Sequence, residues 1–167
     1  MNEAAILGDA QGTIPLTPDG YRRLQLELEH LTVVKRPDIA DRIRDSQQHG
    51  EFSEDNSELD EVKFEQAIVE SRIAELKAIF GNASVIDETR IPTDYVGVGS
   101  FVTVYDLEYA DEFDVRVVTS VESDPNLDLL SNESPLGSAI TGRKAGDEVV
   151  FEAPEGRKRY KILSIRR

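Results

Sequence analysis

The chain has no cysteine and no tryptophan, one methionine, and only 19 lysines and arginines against 33 aspartates and glutamates. Without cysteine there can be neither disulfides nor thiolate metal sites. A formal charge of −14 argues against nonspecific DNA or RNA binding through a broad basic face. It favours a basic protein partner, metal ions, or a role that needs only a local positive patch. No apolar run is long enough to cross a bilayer, and "MNEAAILGDAQGTIPLT" lacks a basic n-region. Neither a signal peptide nor a membrane partner is expected, and the expected location is the cytoplasm. The 167 residues suit one ordinary domain or two small ones.

The hydrophobic pattern changes period near residue 82. Residues 1–14 carry few structural signals and read as a flexible N-terminal tail. Thr17 and Pro18 then supply an N-cap and a first helical residue. Tyr21, Leu24, Leu28 and Leu31 follow in alternating steps of three and four, a coiled-coil stripe. Pro37 should kink or locally break this helix, since it lacks an N–H and clashes with the preceding turn. Ile39 and Ile43 resume the stripe in shifted register. A second helix carries Leu59, Val62, Gln66, Val69, Ile73, Leu76 and Phe80 at the same spacing, and Gly81-Asn82 stops it. The short connection makes the helices antiparallel, so 15–82 reads as a coiled-coil hairpin; residues 18–49 would span roughly 48 Å at ~1.5 Å per residue. Beyond it, "SFVTVYDLEY", "EFDVRVVTSV", "DEVVFEA" and "RYKILSI" read as strands, with a hairpin turn at Pro154-Glu155-Gly156 and a short helix in "SPLGSAITG". The fold class is α+β: a helical hairpin, then a small domain over 83–167 with a mainly antiparallel sheet.

Where the two helices meet, the charge is one-sided. Between Asp45 and Val62 there is no lysine or arginine but there are seven acids: Asp45, Glu51, Glu54, Asp55, Glu58, Asp60 and Glu61. Acids at a helix start complement its positive end, and Asp55 with Glu58 has the spacing of a capping box. Glu58, Asp60 and Glu61 then read as a solvated helix face. That account leaves Glu51 and Glu54, which precede the cap and sit in the turn. Carboxylates are hard oxygen ligands for Mg²⁺, which takes one or two of them and completes its shell with water and phosphate oxygens. Glu51 and Glu54 suit a site whose other ligands belong to a partner. Calcium-loop spacing is missing, and one acidic turn offers no pocket or second ligand set for a free-standing nuclease.

"LTPDGYRRLQLELEHL", "RPDIADRI", "HGEFSEDNSE", "SRIAELKAIFGNASVID" and "SNESPLGSAITGRKAGDEVVF" together resemble the bacterial transcript cleavage factors GreA and GreB, over residues 14–167. The strong acidity makes the chain more similar to GreA. The resemblance implies a C-terminal domain, FKBP-like in fold, that docks on RNA polymerase at the rim of the secondary channel. It implies that the hairpin enters that channel and that its tip helps hold a second Mg²⁺ and orient the attacking water. The polymerase then cleaves its own backtracked RNA at the 3′ end. The chain would lend ligands to another enzyme and would not itself be an enzyme.

The family tip reads Gly-Asp-Leu-x-Glu-Asn; this chain has Gly50-Glu51-Phe52-Ser53-Glu54-Asp55-Asn56. Glu51 falls on the first catalytic acid, and Glu54 keeps the three-residue step to the second. Glu51 is one methylene longer than aspartate, and one added residue lets Asp55 compete with Glu54. A displacement of about 1 Å at a reacting centre can cost on the order of 100-fold in rate. Ser53, Asn56 and Lys63 are candidates for RNA or polymerase contact; Phe52 reads first as packing the turn and otherwise as such a contact, while the basic position ahead of the tip is Gln47.

His49 reads first as a hydrogen-bonded structural residue, with proton transfer as the alternative. Arg22, Arg23, Lys35, Arg36, Arg42 and Arg44 read first as solvated helix charges, and otherwise as a basic face for extruded RNA. Two further functions compete with cleavage. One is a channel-binding regulator of the same architecture that does not promote cleavage. The other is a chaperone or adaptor that self-associates through its coiled coil. The hairpin's own helices fill the seam, so the chain is expected to be a monomer.

Overall fold

A computed structural model describes residues 13–49 and 57–167. The described residues form two compact units. Tyr21–Asn82 makes one; the residues up to Gly20, together with Ala83–Arg167, make the other.

In the helical unit, α1 (Pro18–His30) runs through a π-helical turn (Leu31–Lys35) into α2 (Arg36–His49), and α3 (Ser57–Asn82) returns. The break expected at Pro37 takes the form of this π turn. A proline at 37 cannot donate to the carbonyl four residues back, and its ring would press on that carbonyl. The turn ahead of it widens: the Arg36 N–H reaches Leu31 O, five residues back. The Thr32 hydroxyl donates to Leu28 O at 2.8 Å and to Glu29 O at 3.1 Å, which helps satisfy carbonyls near the widened turn.

The π turn also explains the register shift in the apolar stripe. Continued regularly beyond Leu31, the stripe would fall on Lys35, Asp38 and Arg42, all charged. A π turn absorbs one extra residue, which moves Ile39 and Ile43 onto the seam instead. Ile39, Val62, Val69 and Ile73 are buried together, with Leu28, Leu31 and Ile43 packed against them. Two expected positions differ. Gln66 is exposed, and Ile79 is buried while Phe80 is half-buried. Phe80 instead meets Tyr21 edge-to-face, ring centroids 5.1 Å apart.

The hairpin was expected to begin at residue 15, after a tail over 1–14. Residues 1–12 lie outside the described residues. Ile14–Leu16 is strand β1, paired in parallel with β2 (Ala83–Val85), and Ile86 N–H donates to Leu16 O at 2.8 Å. Residues 13–20 therefore belong with the C-terminal unit. A three-residue pairing between segments this distant leaves no periodic trace in the sequence. Thr17 caps α1 as expected: its hydroxyl accepts from the Gly20 N–H at 3.0 Å.

The main sheet has the order β5-β4-β3-β7-β6, formed by β3 (Phe101–Asp106), β4 (Asp111–Val118), β5 (Leu129–Ser131), β6 (Glu148–Ala153) and β7 (Gly156–Arg166). All its pairings are antiparallel except β4–β5. The α+β expectation holds; β5 is too short to announce itself. Alternating residues Val102, Val104, Val115, Val117, Val149 and Ile162 form the core with Val96 and Ile140. Ile140 comes from α4 (Pro135–Ile140), the helix expected in "SPLGSAITG". Ser134 caps it by accepting from the Gly137 N–H. Gly137 must lack a side chain, because a Cβ there would lie 1.9 Å from Ser131 O.

Two glycine substitutions should therefore behave oppositely. Gly137→Ala should destabilise the protein by at least about 1–3 kcal/mol through overpacking against backbone. Gly81→Ala, within α3 and with nothing near the added methyl, should stabilise it by about 0.5–1 kcal/mol. Urea denaturation of both variants checks this; a harmless Gly137→Ala would refute the close approach.

Candidate functional site at the hairpin end

Helix α2 ends at His49 and α3 begins at Ser57. The expected tip residues Glu51, Phe52, Ser53, Glu54, Asp55 and Asn56 lie outside the described residues, and so does the His49 side chain. The described residues fix what frames them. Ser46 on α2 and Val62 on α3 are buried, 5% and 2% exposed. The seam is thus closed to within a few residues of the end. Glu58, Asp60, Glu61 and Lys63 are exposed.

The hairpin's charges are not distributed evenly. Arg36 Nε and Nη2 donate to the two carboxylate oxygens of Glu70 at 2.8 and 2.9 Å. Arg42 donates to Glu65 at 2.8 Å, and Lys35 lies 3.8 Å from the same carboxylate. Arg72 grips Glu27 with Nε and Nη2 at 2.6 and 3.0 Å and reaches Glu75 at 2.9 Å. Such forked pairs hold direction as well as distance. The Arg36 hydrogen bonds keep the Glu70 carboxyl below the usual carboxylate range. The Glu27 hydrogen bonds, ahead of those from Glu75, raise the Arg72 guanidinium further above its already high value. Pairing Arg36 with Glu70, Arg42 with Glu65 and Arg72 with Glu27 also fixes the helices as antiparallel.

The bases on the first helical run are thereby largely committed. Lys35, Arg36 and Arg42 pair with α3 acids, and Arg44 pairs with Asp41 at 3.2 Å. This favours the solvated-charge account over a basic face for RNA. Among the described residues, Glu58, Asp60 and Glu61 take part in no ion pair. The same residues include no group of three or more His, Asp or Glu placed to hold a metal. No described helix is long and apolar enough to cross a membrane.

Sequence reasoning missed these interhelical pairs, because they depend on a register that the π turn shifts. It also missed Glu122, which is buried and donated to by both the Thr17 N–H, at 3.0 Å, and the Thr17 hydroxyl. One signal was present: glycine at position 20, where a local capping box would place glutamate.

The described residues form two units: a helical hairpin that follows β1 and precedes β2 in the chain, and a mainly antiparallel sheet unit. Both parts match known families: residues 14–85 fit the model "Transcription elongation factor, N-terminal", and residues 91–167 fit "Transcription elongation factor, GreA/GreB, C-term". The chain belongs to the GreA/GreB family of transcription elongation factors. It is 47% identical over 152 residues to transcription elongation factor GreA of Thermoanaerobacter pseudethanolicus, covering 91% of this chain and 96% of that one. It is 44% identical over 152 residues to GreA of Clostridium kluyveri, covering 91% and 95%. Among solved structures, GreA factor homolog 1 of Thermus thermophilus aligns with a TM-score of 0.43 at 26% identity, covering 93% of this chain and 99% of that one.

The forked pair should contribute measurably where an isolated surface pair does not. A double-mutant cycle on Arg72 and Glu27 should give a coupling of about 0.5–1 kcal/mol, against nearly zero for Arg44 and Asp41. Equal couplings in thermal or urea melts would contradict the assigned geometry.

Proposed function

We propose that this chain binds RNA polymerase through the secondary channel and stimulates Mg²⁺-dependent cleavage of backtracked RNA. The observation that carries this is the family match over both units. The 3′ end of the nascent RNA is the target, the chain acts as a cytoplasmic monomer, and it lends acids to the polymerase without being a nuclease.

The tip's donor set suits Mg²⁺: Glu51 and Glu54 are hard oxygen donors, with Asp55 competing for the second place. Their surroundings favour a cation as well, since Glu58, Asp60 and Glu61 follow closely in sequence and find no ion pair among the described residues. Bound Mg²⁺ would activate water and stabilise charge building on the scissile phosphate. The chain's own contribution is electrostatic and positional. Glu51 and Glu54 would complete a ligand shell begun by the polymerase and orient the attacking water. Phe52, Ser53, Asn56 and Lys63 would contact RNA or polymerase. The closed seam and the ion pairs hold the two helices together, so that the acids they carry arrive as one group.

A second reading, a channel-binding regulator that does not promote cleavage, is favoured by one observation. The tip has glutamate where the family has aspartate, and one residue more before Asn56.

Backtracked transcription complexes separate the two. Wild-type protein with Mg²⁺ should release short 3′ RNA fragments. The Glu51→Ala/Glu54→Ala double variant should lose on the order of 100-fold or more in cleavage while binding is kept. Slowed synthesis without fragments would select the regulator. Full cleavage by the double variant would discard these residues as ligands.

A further inference from the structure

We propose that Glu122 is a positioning residue for the start of α1: across 105 positions it completes that helix's capping box and fixes its first turn. In a local capping box, the N-cap hydroxyl accepts from the N3 amide while an N3 carboxylate accepts from the N-cap amide. Here the first half is local, from the Gly20 N–H to Thr17 Oγ1. The second half is supplied from far along the chain: Glu122 Oε2 accepts from the Thr17 N–H, and Oε1 accepts from the Thr17 hydroxyl. The hydroxyl proton is thus turned to the carboxylate, which leaves the oxygen's lone pairs facing the Gly20 amide. Thr17 is fully buried and Glu122 is 4% exposed, so water does not replace either bond readily.

Gly20 makes the arrangement possible. A Cβ at position 20 would lie 2.1 Å from Glu122 Cδ and 2.2 Å from Oε1. An N3 side chain and the distant carboxylate are therefore mutually exclusive. The same segment is held a second time, where the Thr119 hydroxyl donates to Pro15 O at 3.2 Å. Helix α1 continues from this turn across the border between the units at Gly20 and Tyr21. Glu122 accordingly sets its N-terminal turn. The bearing of Glu122 on transcript cleavage rests on the function proposed above; the measurements on the free protein do not.

The test is amide hydrogen exchange on the full chain, together with thermal melting. In Glu122→Ala, the amides of Thr17 and of residues 19–24 should exchange at least about tenfold faster, while those of Val104, Val117 and Ile162 keep their rates. Unchanged exchange at Thr17 and 19–24, or equal acceleration in the sheet, would overturn the proposal. Gly20→Ala should lower Tm in the wild-type background but leave it unchanged or raise it in Glu122→Ala, because alanine is then free to act as the better helix former. The same sign in both backgrounds would overturn the proposal. Should Glu122→Ala not fold, Thr17→Val must accelerate exchange at 19–24 and Thr17→Ser must restore wild-type rates; no difference between them refutes it. In backtracked complexes, Glu122→Ala should lower cleavage severalfold with tip residues intact. If exchange responds and cleavage is absent even for wild type, the functional reading fails and the anchor stands.

Discussion

The apolar seam between the two arms of the hairpin is the contact on which the rest depends. Ile39, Val62, Val69 and Ile73 bring together two helices whose far ends carry acids of one sign. Like charges resist that approach, and no lysine or arginine between Asp45 and Val62 relieves it. Burial of Val62 and Ser46 carries the seam close to the end. Cross-helix pairs at Arg36, Arg42 and Arg72 fix the pairing further back. Lys35, Arg36 and Arg42 of the first helical run are thus used behind the end, and the stretch from Asp45 to Val62 keeps its excess of acids.

The π turn reconciles two demands within that seam. Pro37 cannot supply a regular helical bond, and the apolar stripe slips by one residue between Leu31 and Ile39. One widened turn answers both, so the irregularity and the slip are the same event seen in backbone and in pattern. In the sheet unit, Ser134, Pro135 and Gly137 play a comparable part. They cap a helix, start it and let its backbone approach Ser131 O, which explains why a short Ser-Pro-Leu-Gly run reads so strongly.

Much of this was legible in the sequence, for physical reasons. Helix α3 and the strands β3, β4, β6 and β7 announce themselves because each buries one face, which imposes a period. Thr17-Pro18 and Pro154-Glu155-Gly156 announce a helix start and a turn because few residues tolerate those backbones. What escaped has no period. Strands β1, β2 and β5 have three residues each. Glu122 acts on a residue 105 positions away, and Arg36 finds Glu70 only once the register is known. The acidic stretch stands out in the sequence as an excess of charge and as a resemblance to a family motif with an altered first acid. Residues 50–56 within it lie outside those the structure describes, so the assignment of Glu51, Glu54 and Asp55 rests on chemistry and resemblance.

The central claim is that negative charge gathered at the hairpin end completes a metal site belonging to another enzyme. Its most direct measurement is the Mg²⁺ dependence of RNA cleavage in backtracked polymerase, with and without the protein. The account predicts that the protein lowers the Mg²⁺ concentration needed for half-maximal cleavage and that neutralising Glu51 and Glu54 removes the shift. An unchanged Mg²⁺ midpoint, with only the maximal rate altered, would contradict it.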